Sequence, residues 1–201
     1  MKLEGLEWYV VNSPARAASQ RLIETPLLVG RRGALSGQYV LEIGCGRGVG
    51  MQSLLRLDAT HVVGFDVDPR MVALAQKRVA RYGRRAHVYV GDAEAIDMPD
   101  GTFEAVVEYG VFHHVHDWQQ ALREVARVLR PGGIFYFEDF LKGFVSAPLI
   151  RVLFGHGHVT EFTAQEFRAG LEAAGLQVRR WRSMVGWTIA GQAEKKSGGR
   201  A

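Results

Sequence analysis

Short apolar runs separated by stretches of helical spacing set the pattern of this chain. Runs at residues 38–43, 61–66, 86–90, 103–108 and 133–138 predict five strands. The intervening segments carry clear helix starts. Asp68 stands as an N-cap before Pro69, with Met71, Leu74, Ala75 and Val79 following at helical spacing. Asp117 with Gln120 predicts a capping box, and Leu122, Val125, Val128 and Leu129 mark that helix's buried face. Thr163 with Glu166 predicts another box, with Phe162 and Phe167 as its hydrophobic staple and Gly175 as its stop. After Gly175, Leu176–Met184 and Gly186–Ala193 read as two closing strands joined by a tight turn. Strands alternating with helices in this way predict an α/β domain built on a parallel, doubly wound sheet.

The chemistry begins where the first run breaks. Val40-Leu41-Glu42-Ile43 leads into Gly44-Cys45-Gly46-Arg47-Gly48, and Val62-Val63-Gly64-Phe65 leads into Asp66. Glycines let backbone approach a ligand closely, and a carboxylate ending the second strand can accept hydrogen bonds from ribose hydroxyls. This is how a doubly wound domain grips an adenosine-bearing cofactor. The dinucleotide fingerprint needs glycines at the first, third and sixth positions of its turn. Counted from Gly44 the sixth position is Val49, and counted from Gly46 it is Met51. Neither fits. No Gly-Lys-Ser/Thr follows, which excludes a Walker-type phosphate loop.

What remains resembles motif I of the class I S-adenosylmethionine-dependent methyltransferases, of the small-molecule, type 11-like kind. Four further stretches are similar to that family's motifs, in its order. They are Tyr89-Val90-Gly91-Asp92-Ala93-Glu94, Asp97 through Val107, Phe112-His113-His114-Val115, and Leu122 through Pro131-Gly132-Gly133. Glu42 and Glu104 stand where the family often has Asp, and both keep the charge. The resemblance spans about residues 38–140 and implies a Rossmann-like, seven-stranded sheet, mostly parallel with an antiparallel last strand beside the fifth. It also implies S-adenosylmethionine as cofactor. Gly44, Cys45, Gly46 and Gly48 would form the turn around its methionine part, and Glu42 would orient that turn or the amino group. Asp66 would accept from the ribose, Val67 would lie beside the adenine, and Asp92 and Ala93 would meet its edge. Tyr109 would stand near the methionyl end or the acceptor.

At 201 residues the chain reads as one domain, and 47% apolar with 23% charged residues is ordinary for a soluble protein. Its parts are a helical cover at 1–36, the core at 38–140, a lid at 139–160, a helix and strand pair at 161–193, and a disordered tail at 194–201. The cover carries Leu6, Trp8, Tyr9, Val10, Leu22, Ile23, Leu27 and Leu28, and the lid carries Phe140, Phe144, Leu149, Ile150 and Phe154. An apolar connection at the strand ends suits either a short helix packed on the sheet or a lid over a lipophilic substrate. No run reaches transmembrane length, and the first residues hold acids and no signal core. One cysteine, Cys45, fits a reducing cytoplasm. The net charge of +4 comes from arginines scattered between elements, which favours solvated helix faces over a nucleic-acid surface.

His113 and His114 follow the fourth strand at the expected substrate mouth, where either could serve as a base and either could simply pack. His113, His114, His116 and Asp117, with His156 and His158 in the lid, raise a metal site, but no metal-ligand signature accompanies them. No metal is expected. The favoured function is methyl transfer to a small, apolar or aromatic acceptor such as a quinone, phenol or lipid. The alternatives are an RNA or protein methyltransferase, and a cofactor-binding regulatory subunit without turnover. Against the first, Glu108-Tyr109-Gly110-Val111 lacks the Asn/Asp-Pro-Pro-Tyr/Phe pattern of amide and adenine methylation. Acceptor atom and oligomeric state are not set by the sequence.

Overall fold

The computed structural model describes residues 8–10, 12–146, 160–184 and 186–197, and turns each predicted run into a strand. These are β1 Tyr39–Ile43, β2 His61–Asp66, β3 Ala86–Val90, β4 Phe103–Glu108, β5 Leu129–Phe140, β6 Leu176–Met184 and β7 Thr188–Lys195. They form one seven-stranded sheet in the order β3-β2-β1-β4-β5-β7-β6. The first five strands pair in parallel, whereas β7 is antiparallel to both β5 and β6. Strand order reverses between β1 and β4, and the crevice beyond that switch point is where an open α/β sheet takes its ligand.

Residues alternate across the sheet and feed two cores. Leu41, Ile43, Phe65, Phe135 and Phe137 face one side. There they meet α5 (Trp118–Val128) and α7 (Ala164–Ala173). Val40, Val62, Val88 and Ala105 face the other. That side is covered by α3 (Val49–Arg56) and α4 (Pro69–Val79). The N-terminal cover is α1 (Pro14–Ser19), a π-turn at Gln20–Glu24 and α2 (Thr25–Leu28). Gln192 Nε2 ties α2 to β7 by donating to Leu28 O at 2.8 Å. Of the cover's expected apolar contacts, Leu22, Ile23 and Leu27 point outward instead.

The helix caps follow the sequence with one exception. Asp68 accepts from Arg70 N at 2.9 Å, with Pro69 behind it. Thr163 and Glu166 form the reciprocal box, and the Phe162 and Phe167 rings stack with centroids 5.1 Å apart. Asp117 completes only half of its box: it accepts from Gln120 N at 2.8 Å, but the Gln120 side chain turns to Glu94 O. Glu94 supplies the other half, taking Asp117 N at 2.9 Å.

The expected tail at 194–201 starts too early. β7 runs on to Lys195, because both charged side chains have partners there. Glu194 takes Arg179 Nε at 2.8 Å, and Lys195 Nζ donates to Leu129 O at 2.6 Å. Of the lid, α6 (Lys142–Val145) is the described part. Residues 1–7, 11 and 147–159, with His156 and His158, lie outside the described residues.

Candidate active site

The carboxyl ends of β1, β2 and β4 open into a cavity of about 510 Å³. Gly44 and Gly46 form its floor with positive φ of 62° and 49°. A side chain at Gly44 would also collide with Val111, since its Cβ would lie 2.5 Å from a Val111 methyl. The turn is held from below. Asp66 Oδ2 accepts from Gly46 N and Oδ1 from Asp68 N, both at 2.9 Å. Burial raises the Asp66 pKa above the usual carboxylate range, and these two N–H groups oppose the rise. A carboxylate has about four acceptor sites, so Asp66 can still receive two ribose hydroxyls.

Val67, Asp92, Ala93 and Tyr109 also line the cavity, together with Gly44, Gly46 and Asp66. Val67 is exposed, and Asp92 Oδ1 accepts from Glu94 N at 2.9 Å to fix its own turn. Tyr109 is anchored away from the floor, its Oη 3.0 Å from Thr25 Oγ1, and burial pushes its phenol well up.

Three expected cofactor residues stand back from the wall. Glu42 is buried beneath the turn, with Oε1 against Gly50 and no hydrogen-bond partner on Oε2. Burial raises its pKa strongly, the Asp66 charge adds to this, and the Met51 N–H works against it. That position orients the turn and the start of α3. Cys45 is buried in the core on the α3 side, and burial pushes its thiol well up. Gly48 caps α3 at φ 79°, where a Cβ would lie 3.1 Å from Ala75 Cα; its task is close packing of α3 on α4. Glu104 is remote as well, bridging the sheet by accepting from Tyr39 N and Arg130 Nη1.

The two histidines separate. His113 is buried, with Nδ1 2.5 Å from Asp139 Oδ1, and the same carboxylate accepts from Phe112 N and Phe140 N at 2.6 Å. Beside it, the pKa of the buried Glu108 carboxyl is pushed well up by burial and by the Asp139 charge, against the pull of its bonds from Val111 N and Glu138 N. With Nδ1 engaged, Nε2 is the His113 nitrogen left for a ligand. The His114 ring lies tilted against His113 with centroids 3.9 Å apart, and both line the cavity with His116. Phe140 meets His113 edge-on at 5.3 Å and stacks on Phe144 at 4.6 Å, which gives this end an aromatic wall. Among the described residues, no three metal-ligating side chains come together.

Asp139 and Arg16 are not among the site residues expected from sequence. Asp139 sits in Phe-Glu-Asp-Phe at the end of β5, where the same strand-end logic that finds Asp66 would have found it. Arg16 reaches the cavity only because α1 packs across it. No local pattern announces that.

A glycine floor, an acid at the end of β2 and an aromatic wall line one cavity. The methyltransferase domain family model matches residues 41–137. A probable S-adenosylmethionine-dependent methyltransferase of Mycolicibacterium smegmatis is 34% identical over 151 residues, 71% of this chain and 53% of that protein. The 27-O-demethylrifamycin SV methyltransferase of Amycolatopsis mediterranei is 30% identical over 177 residues, 85% of this chain and 64% of that protein. The chain thus spans between half and two thirds of these relatives' length. In fold it is similar to an S-adenosylmethionine-dependent methyltransferase from Mesorhizobium loti, with a TM-score of 0.71 at 16% identity over 80% of this chain and 92% of that one. The cyclase SpnF has a TM-score of 0.73 at 20% identity over 87% and 81%. The match over residues 41–137, the named relatives and the fold together support a class I S-adenosylmethionine-dependent methyltransferase, with S-adenosylmethionine as the cofactor they imply.

Proposed function

We propose that this protein methylates a hydroxyl of a small, flat and lipophilic acceptor. The observation that carries the reading is the buried His113–Asp139 pair behind the aromatic wall of Phe140 and Phe144. The cofactor supplies a methyl group on a sulfonium, ready for in-line displacement. The chain's own part is to place the acceptor and take its proton. Phe140, Phe144 and Val145 would pack a flat apolar body, which orders the reacting oxygen toward the Gly44–Gly46 floor. His113 would accept the hydroxyl proton on Nε2, while Asp139 holds Nδ1, fixes the tautomer and stabilises the imidazolium.

Two named relatives support the substrate class. One is the rifamycin enzyme; the other is a phthiotriol/phenolphthiotriol dimycocerosates methyltransferase of Mycobacterium leprae, 36% identical over 106 residues. We read the protein as cytoplasmic, on its single buried thiol. Among the described residues no helix is long and apolar enough to cross a membrane.

The test is product formation from labelled cofactor with a panel of phenols, quinols, polyketide-like alcohols and long-chain alcohols. Turnover on hydroxyl acceptors that falls about 100-fold or more in His113→Ala, with S-adenosylhomocysteine binding intact, supports the reading. Turnover only on RNA or protein would replace it with the macromolecular alternative. Cofactor binding with no turnover on any acceptor would leave a regulatory subunit.

A further inference from the structure

The cavity wall carries a charge problem that the glycine floor and the ribose acid do not solve. Asp66, Asp68, Asp92 and Glu94 line it, against Arg16 as the one lysine or arginine among its described lining residues. An acidic wall suits the sulfonium and the α-ammonium of the cofactor. The same ligand also ends in a carboxylate, which such a wall repels and which needs a cation beside it. We infer that Arg16, which lies outside the segment matched by the family model, is the side chain that holds this α-carboxylate; the inference rests on the cofactor reading above.

The position of α1 makes this geometrically natural. Arg47, from the glycine turn itself, donates through Nη2 to Ser13 O at 2.6 Å, so the start of α1 is fixed to the turn. Ser13 also caps the helix through Arg16 N at 3.0 Å. One turn later, Gln20 Nε2 packs 2.9 Å from where a Cβ on Gly50 would lie, directly over the Glu42 carboxyl. Further on, Thr25 is bonded to Tyr109 at the cavity wall. The cover is therefore tied both to the glycine turn and to Tyr109 of the cavity wall, and Arg16 on it lines the cavity. Its guanidinium gives Nη1 to Glu24 Oε2 at 2.6 Å, and Ser19 Oγ holds the other Glu24 oxygen at 2.8 Å. An arginine has five N–H donors in a planar fork, so the remaining edge can meet a carboxylate while the Glu24 contact persists.

The bland account of Arg16 is a staple that merely pins α1 through Glu24. The two accounts part company on a ligand that lacks the carboxylate. Calorimetry would compare S-adenosylhomocysteine with 5′-methylthioadenosine, which keeps the adenosine and sulfur but has no amino-acid part, on wild type, Arg16→Gln and Glu24→Gln. The expected result is a loss of about 10- to 100-fold in S-adenosylhomocysteine affinity for Arg16→Gln, with methylthioadenosine unchanged. Glu24→Gln, which breaks the staple and leaves the guanidinium, should bind S-adenosylhomocysteine like wild type. Equal loss of both ligands in Arg16→Gln, no loss of either, or the same loss in Glu24→Gln would overturn the assignment. A wild-type protein that binds neither ligand would sink the cofactor reading as well, which keeps the two failures distinct.

Discussion

Asp66→Ala is the substitution whose consequences can be worked most fully, because this carboxylate holds the glycine turn and, on the proposed reading, would also receive the ribose. In the fold it accepts two backbone hydrogen bonds, from Gly46 N and Asp68 N, each 2.9 Å long. Hydrogen bonds to a charged acceptor are worth roughly 1.5–3 kcal/mol each, but Asp66 is largely buried and its raised pKa shows that desolvation offsets part of that gain. Loss of the side chain should therefore cost only about 1–2 kcal/mol of stability. The ligand side is different. Two ribose hydroxyls would meet the remaining lone pairs, and their joint loss is worth about 3 kcal/mol, or roughly 100-fold in Kd. Calorimetric titration with S-adenosylhomocysteine gives the affinity, and thermal unfolding of the same sample gives the stability. An analogue lacking both ribose hydroxyls closes the cycle: it should bind wild type about 100-fold more weakly and Asp66→Ala no worse than the parent ligand does. An Asp66→Ala protein that folds, melts a few degrees lower and binds within about threefold of wild type would refute the ribose assignment. The carboxylate would then be a turn brace and nothing more.

Other sites give sharper or simpler readouts. Gly48→Ala places a Cβ in a residue at φ 79° and 3.1 Å from Ala75 Cα, so denaturant unfolding should show a loss of about 2–3 kcal/mol. A loss below about 0.5 kcal/mol would mean that α3 and α4 are not packed as described. Asp139→Asn should lower turnover on hydroxyl acceptors about 10-fold or more while leaving S-adenosylhomocysteine affinity unchanged, because it frees the His113 ring from its orienting charge. Equal turnover in the variant would make the pair structural. The Glu138 carboxyl is pushed up to about 7, from an ordinary 4.5, by burial first and the Glu24 charge second, with Arg16 opposing. A folded state that holds this proton more tightly than the unfolded chain loses stability as pH rises from 4.5 to about 7, by at most ~3 kcal/mol. Glu138→Gln should flatten that stretch of the stability–pH curve, and an unchanged slope would place its origin elsewhere.

What the sequence announces and what it conceals follow from the range of the interactions involved. Strands, caps and the Phe162–Phe167 staple are set within about five residues, so the roles of Asp68, Thr163 and Glu166 are legible from their sequence neighbours alone. Asp117 shows where that local logic fails. Its N-cap half is local and correct, but the reciprocal half comes from Glu94, which a separate loop brings alongside. The site divides along the same line. Gly44, Gly46, Asp66, Asp92 and Ala93 lie at strand ends, and topology alone carries them to one crevice. Glu42 and Gly48 belong to the same motif, yet the chain uses them to seat α3, and a linear pattern cannot tell a residue under a turn from one on it.

The residues that give this site an individual chemistry come from contacts with no local signature. His113 looks like either a base or a packing residue in sequence; Asp139, 26 positions later on β5, holds its Nδ1 in a buried contact that is compatible with both readings. Arg16 is further removed still, delivered by a cover whose anchors are the Ser13 carbonyl held by Arg47 and the Thr25 hydroxyl bonded to Tyr109. Both residues lie outside the matched segment. Asp139 stands near the end of β5, and Arg16 on a helix preceding the matched segment. For this chain, His113 variants measured against Phe144 variants would separate proton removal from acceptor packing: the former should lower kcat and the latter should raise KM.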